Sequence, residues 1–265
     1  MADQALQYVP VFALVFFRVA AMLLATPVFA SARVPRRVRL MLALVLALGM
    51  APACPQPEIP DSALALAVGI GGEILFGLAI GTALSLTFVA VHWAGEIMGQ
   101  QMGINLGEVF DPAMGQGGSV IGDAYFLLSL VIFLSPPVMG HHALLTGLAE
   151  SFSALPLLSV GPSADLLALL VGLVQAAAIL AIRLAAPMLL TMLVVDLILG
   201  FIGKTMPQLN LMSAGLSLRS VVGLAVLAVG VWMAGGVIES ALREGINRIG
   251  PVMGGSEALI ADWPS

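Results

Sequence analysis

The sequence predicts an all-α, polytopic membrane protein, and three observations carry that expectation. Of its 265 residues, 60% are hydrophobic and only 9% charged, and the mean hydropathy is +1.08. A soluble domain of this size carries about a quarter charged residues, so this chain lacks the polar surface to live in water alone. About six apolar segments follow one another, separated by Pro- and Gly-rich breaks. Within them lies a glycine ladder with polar rungs, Gly95-Glu-Ile-Met-Gly99-Gln-Gln-Met-Gly103-Ile-Asn-Leu-Gly107. Glycines spaced by four share one helix face and admit a close neighbour. Glu96, Gln100, Gln101 and Asn105 are costly in hydrocarbon and imply a helix buried among protein or beside water.

The elements are expected in this order. Residues 10–30 are long enough to span a bilayer. Ala30-Ser31-Ala32 resembles a leader cleavage site, but no Lys or Arg precedes Arg18 and Asp3 is acidic, so the segment is expected to be a retained helix. Residues 40–50 are short, about half a membrane deep, and are followed by a rigid connector with Pro52, Pro55, Pro57 and Pro60. Residues 62–93 exceed a simple span and carry Glu73 among glycines. The ladder comes next and is expected to stop at Asp111-Pro112, before the Gly-rich stretch 115–118. A fourth apolar segment covers 121–139, and a loop with His141, His142, Pro156 and Pro162 is expected after it. The fifth run, 165–203, contains Arg183, Pro187 and Asp196. Met206-Pro207-Gln208-Leu209-Asn210 is expected as a tight turn before the sixth run, 213–238. Residues 1–250 are read as one membrane-embedded domain and 251–265 as a short tail, expected to be disordered.

Net charge −5 leaves no basic footprint for nucleic acid. The one basic cluster, Arg33-Val34-Pro35-Arg36-Arg37-Val38-Arg39, argues for a cytoplasmic first loop. Six spans would then put the C-terminal Arg243 and Arg248 outside, which conflicts with the same rule. The conflict suggests a chain ordered by partners more than by lipid. The single cysteine, Cys54, excludes an intrachain disulfide and a cysteine metal site. His92 and Glu96 share a helix face, but the second histidine of a zinc-protease helix is missing. Gly115–Gly118 lacks the Lys-Ser/Thr of a nucleotide loop. No catalytic set assembles, and no cofactor or metal is expected. Glu73, Glu96, Arg183 and Asp196 are the candidate buried charges, read either as a proton or ion relay or as pairs across helix contacts. The alternative function is therefore an ion-coupled transporter using Glu73, Glu96 and Asp196.

The ordered set of motifs resembles a known family. It comprises Arg18, Pro27, Val34-Pro35-Arg36-Arg37-Val38-Arg39, Gly72-Glu73, Gly95-Glu96 through Gln101-Met102-Gly103, Phe110-Asp111-Pro112, and Met206-Pro207-Gln208-Leu209-Asn210. Each is short, but their order and hydropathy are similar to the FliR/SctT family of type III export-apparatus proteins, from about residue 8 to 250. The Gln-Met-Gly and Pro-Gln-x-Asn forms resemble the flagellar branch more than the injectisome branch.

The resemblance implies a non-enzymatic channel subunit of the protein export gate, in the bacterial inner membrane at the flagellar basal body. It implies helix hairpins packed into a hetero-oligomer with FliP-like and FliQ-like subunits and an FlhB-like export switch protein, passing unfolded substrates. Residues 1–160 would be the FliP-like part and 161–250 the FliQ-like part. The assembly would sit high relative to the membrane plane. By position, Phe110, Asp111, Pro112, Met114, Gly115, Gly117 and Gly118 would form a plug. Gly95, Glu96, Gly99, Gln100, Gln101, Gly103 and Gly107 would serve subunit packing. Arg18, Pro35, Arg36, Arg39, Glu73, Pro207, Gln208 and Asn210 carry the remaining motifs.

Overall fold

The structure, a computed structural model, describes residues 2–30, 34–55, 57, 60, 62–104, 119–136, 138–158, 164–205 and 211–250. Among these residues every regular element is helical: α1 (Ala2–Ala25), α2 (Pro27–Ala30), α3 (Arg36–Met50), α4 (Ala63–Met102), α5 (Val120–Leu134), α6 (Gly140–Ala154), α7 (Ala164–Thr205) and α8 (Leu211–Ile249), with a 3₁₀ turn at Ala51–Ala53. The all-α polytopic class is as the composition predicts. Among the described residues, three stretches are long and apolar enough to cross a membrane, Ala63–Met102, Leu170–Thr205 and Gly215–Ile249. Val9–Ala25 and Val120–Leu134 are shorter apolar helices.

Several elements differ from expectation. The third run and the ladder are one 40-residue helix, α4. It ends at Met102, nine residues before Asp111. Gly103 adopts φ 74°. Its amide donates to the Gln100 carbonyl at 3.1 Å, and the Ile104 amide to the Gly99 carbonyl at 3.3 Å. These two bonds are a Schellman cap, which a glycine in the left-handed region closes without a Cβ penalty. Residues 140–154, expected as loop, form α6. Ala143, Leu144, Gly147, Leu148, Ser151 and Phe152 are its buried stripe, at helical spacing, while His141 and His142 stay on the exposed side. α8 continues to Ile249, well past the apolar run, with Leu242, Ile246 and Ile249 as a buried stripe and Glu244 and Arg248 paired at i,i+4 on its outer face.

Local chemistry sets several starts. Pro35 precedes α3 with φ −56°, and Arg39 folds back so that Nη2 and Nε donate to the Val34 carbonyl at 2.9 and 3.2 Å. Arg36 and Arg37 remain exposed. Ser119 caps α5 by accepting from the Gly122 amide at 3.2 Å, and Asp123 in the first turn suits the positive end of the helix dipole.

The chain divides into two compact units, Met1–Thr87 with Phe133–Val174 and Leu242–Ser265, and Phe88–Ile132 with Gln175–Ala241. In the first, α3 lies on α1 through Ala43 and Ala47, its two buried residues. α1 and the first half of α4 cross closely, because a Cβ on Gly77 would fall on the Arg18 carbonyl oxygen and one on Gly81 on the Met22 carbonyl oxygen. Leu14, Val19, Met22, Ile80, Leu84 and Leu148 are fully buried around that crossing.

In the second unit, α7 and α8 form an antiparallel hairpin tied by an ion pair between Arg219 and Asp196, both partly exposed. Residues 206–210, the expected turn, lie outside the described residues. The Ser220 hydroxyl donates to the Met102 carbonyl at 3.2 Å, satisfying an end group of α4. Gly95 lies against α5, with the Ile121 carbonyl oxygen 2.7 Å and the Gly122 Cα 2.8 Å from where its Cβ would stand. Phe88 and Phe126 meet at 5.8 Å between centroids.

Two glycines in one helix should respond oppositely to alanine. Gly77→Ala forces a methyl onto the Arg18 carbonyl and is expected to destabilise by about 1–3 kcal/mol. Gly71→Ala meets nothing within 4 Å and is expected to stabilise by about 0.5–1 kcal/mol through helix propensity. Thermal denaturation of the detergent-solubilised variants measures both; equal effects would contradict the close crossing.

Candidate functional site

The centre of the first unit is an ion pair with no solvent access. Arg18 on α1 and Glu73 on α4 are both 0% exposed, and Arg18 Nε donates to Glu73 Oε2 at 2.5 Å. Three more of the five guanidinium hydrogens are used. Arg18 Nη1 donates to the Ser151 carbonyl and to Ser151 Oγ, each at 3.3 Å, and Nη2 to the Leu155 carbonyl at 3.2 Å. The Ser151 hydroxyl in turn donates to the Leu148 carbonyl at 2.7 Å. The other carboxylate oxygen, Glu73 Oε1, accepts from the Leu158 amide at 2.9 Å. Phe76 and Phe152 flank the guanidinium, 4.9 and 4.6 Å from their ring centroids, so that both rings offer it a π-face.

This network recruits four pieces of chain, α1, α4, the end of α6 and the turn after it. Leu158 has φ 69°, a conformation that a branched side chain seldom adopts and that costs on the order of 1–3 kcal/mol. Its amide is held by Glu73 and its side chain fills the space that Gly69 leaves open. The carboxylate thus pins a strained turn as well as neutralising the arginine. With both carboxylate oxygens engaged and the guanidinium bonded to Glu73, Ser151 and Leu155, the pair is built as a cross-brace rather than as a relay.

The other sequence-predicted residues fall as follows. Asp196 pairs with Arg219. Glu96 and Gln101 are half-buried and Gln100 is exposed on α4, while Gly95 and Gly99 are buried. His92 Nε2 stands 3.5 Å from Asp123 Oδ1. Arg183 is exposed on α7. Gly107, the plug candidates Phe110, Asp111, Pro112, Met114, Gly115, Gly117 and Gly118, and the motif residues Pro207, Gln208 and Asn210 lie outside the described residues, as does Asn105. Among the described residues no group of three or more His, Cys, Asp or Glu is placed to hold a metal. Sequence reasoning named Arg18 and Glu73 separately but did not join them across 55 residues, and it missed Arg219, Ser151 and Leu158. An arginine alone in one apolar helix and a glutamate alone in another was the available signal.

A polytopic all-α membrane protein braced by a buried, multiply hydrogen-bonded ion pair is the class these features define. The family model described as bacterial export proteins, family 1, matches residues 9–245, and the chain belongs to that family. It is 30% identical over 218 residues to the flagellar biosynthetic protein FliR of Caulobacter vibrioides, covering 82% of this chain and 86% of that one. It is 29% identical over 228 residues to the flagellar biosynthetic protein FliR of Escherichia coli K12, covering 86% of each. It is also 30% identical over 157 residues to the surface presentation of antigens protein SpaR of Shigella flexneri, covering 58% of this chain and 59% of that one.

Two outcomes test the brace. Glu73→Gln leaves the arginine buried and unpaired, and is expected to destabilise by about 3–5 kcal/mol. The double variant Arg18→Met with Glu73→Leu, which removes both charges, is expected to cost much less than the sum of the singles, the excess being the coupling energy of a double-mutant cycle in unfolding. Additive single effects would contradict a direct pair. Cys54, half-buried in the connector after α3, reports on the same region, since burial pushes its thiol pKa up. Its thiolate therefore forms only at higher pH than that of an exposed cysteine. Maleimide labelling is expected to be slow at neutral pH and to rise with pH later than for a model thiol.

Proposed function

We propose that this protein is a core channel subunit of the type III export apparatus of the flagellum, set in the bacterial inner membrane at the basal body. The observation that carries the proposal is the family match across residues 9–245, nearly the whole helical chain, together with flagellar biosynthetic relatives aligned over more than four-fifths of its length. In this proposal the chain packs with FliP-like and FliQ-like membrane subunits and an FlhB-like switch protein, and unfolded substrates pass through the assembly. Residues 1–160 act as the FliP-like part and 161–250 as the FliQ-like part. The protein works as scaffold and passage, without catalysis of its own. Large apolar side chains left open on α7 and α8, such as Leu190, Phe201 and Val221, at 65, 72 and 68% exposure, support an origin among lipids and other membrane helices.

The segment 110–118 serves as the plug. Phe110 and Met114 supply adaptable apolar bulk, and Gly115, Gly117 and Gly118 supply backbone freedom.

Removing the chain from its cell is expected to abolish export of flagellar components into the medium and motility, and a tagged chain is expected to bring down two other small membrane proteins. Stable purification alone with intact motility of the deletion strain would refute the proposal. Deleting 110–118 is expected to leave the complex assembled and the membrane leaky to ions, read as conductance; an assembled complex as tight as the intact one would place the seal elsewhere.

A further inference from the structure

Among the described residues, the guanidinium of Arg183 in the second unit has no protein partner. Arg183 is exposed on α7 in the midst of apolar residues, and among the described residues no carboxylate or carbonyl accepts from its guanidinium. Pro187, four residues on, has no amide hydrogen to give the Arg183 carbonyl, so the backbone there is polar as well. An arginine left unpaired in hydrocarbon is costly, so it marks either a counter-anion or a boundary with water.

Helix lengths favour the boundary. Twenty residues, 184–203, separate Arg183 from Lys204, the next cation along α7. At about 1.5 Å per residue they span about 30 Å, one hydrocarbon core. The antiparallel partner α8 marks the same level. Asp196 pairs with Arg219, and thirteen residues back along α7 is Arg183, while thirteen forward along α8 is Trp232. Trp232 is 86% exposed, the side chain that bilayer interfaces select for its apolar ring and polar N–H.

Beside Arg183 opens a cavity of about 510 Å³. Its wall is apolar, with Met98, Leu184, Met188 and Met233 around it, and among the described residues Arg183 and Tyr125 are the only polar side chains that line it. Gly230 and Ala234, small residues four apart on α8, leave its volume open. A charged rim over an apolar hollow, at the level of an exposed tryptophan, fits an amphiphile with an anionic head and a hydrocarbon tail.

We propose that this cavity is a phospholipid site, in which the lipid phosphate accepts from the Arg183 guanidinium and one acyl chain occupies the space between α4, α5, α7 and α8. The lipid then supplies the anion that Arg183 lacks among the described residues and fixes the level of the α7–α8 hairpin in the bilayer. A hollow of about 510 Å³ admits a flexible acyl chain more readily than a partner helix about 10 Å across.

The full chain, purified in detergent with whatever proteins accompany it and stripped of loosely held lipid, is titrated with phosphatidylglycerol and followed by native mass spectrometry. Wild type is expected to retain one lipid tightly, Arg183→Gln to bind it at least about tenfold more weakly, as the loss of a charge-assisted bond dictates, and Ala234→Leu to exclude it by filling the cavity. Inorganic phosphate at the same concentration is expected neither to bind nor to compete, because the tail is required. Independently, in a variant with Trp93 and Trp263 changed to phenylalanine, Trp232 fluorescence is expected to be quenched more by lipids brominated near the headgroup than near the chain end. Undiminished lipid binding by Arg183→Gln, binding of phosphate alone, deepest quenching at the chain end, or loss of an accompanying protein from Arg183→Gln with its lipid kept would each overturn the proposal.

Discussion

A salt bridge sealed from water governs how the first unit is put together. Removing Arg18 and Glu73 from solvent carries a desolvation penalty of several kcal/mol per ion, and a hydrophobic pair of similar volume would pack at least as stably. What the charges add is register. A slip of α1 by one turn moves Arg18 about 5.4 Å from Glu73 and leaves both ions bare. Gly77 and Gly81 complete the constraint, since the helices approach closely only where both glycines face the α1 carbonyls. Apolar side chains alone tolerate neighbouring registers in a helix crossing; a paired charge over a glycine notch selects one.

The same pair reaches beyond the two helices that carry it. Ser151 and the Leu155 carbonyl bring the end of α6 to the guanidinium, and the Leu158 amide closes on the carboxylate. The strained φ of Leu158 is held where a charge-assisted hydrogen bond, stronger than a neutral one, offsets it. The second unit uses a cheaper device for a comparable end. The bond between the partly exposed Asp196 and Arg219 chiefly fixes the pairing of α7 with α8.

What the sequence made legible was whatever depends on composition over a long window. The helical class and the positions of α1, α4, α7 and α8 follow from runs of apolar residues that no other structure could bury in a bilayer. Ends and pairings were less visible. The proline at 112 seemed the natural stop for the ladder helix, yet Gly103 ends it, because the hydrogen-bonded Schellman cap acts before the chain reaches the proline. Residues 140–154 read as loop because two histidines and flanking prolines drew attention from a buried stripe that only the 3.6-residue period reveals. Partners 55 and 23 residues apart, Arg18 with Glu73 and Arg219 with Asp196, share no helix face, so no local spacing rule could join them.

The lengths of the helices set the last constraint. α4 and α7, with 40 and 42 residues, are each about 60 Å long, twice a hydrocarbon core. Exposed apolar side chains run along α7 from Leu167 to Phe201, about 50 Å, so acyl chains in one bilayer cannot cover them all. Tilting shortens the projection of such a helix, but a 20° tilt recovers only about 6% of its length. In the proposed export assembly, helices of neighbouring subunits cover the rest of that surface, which water would leave unfavourably exposed. The demand for such cover follows from side chains and helix rise alone, in a chain with so few charges.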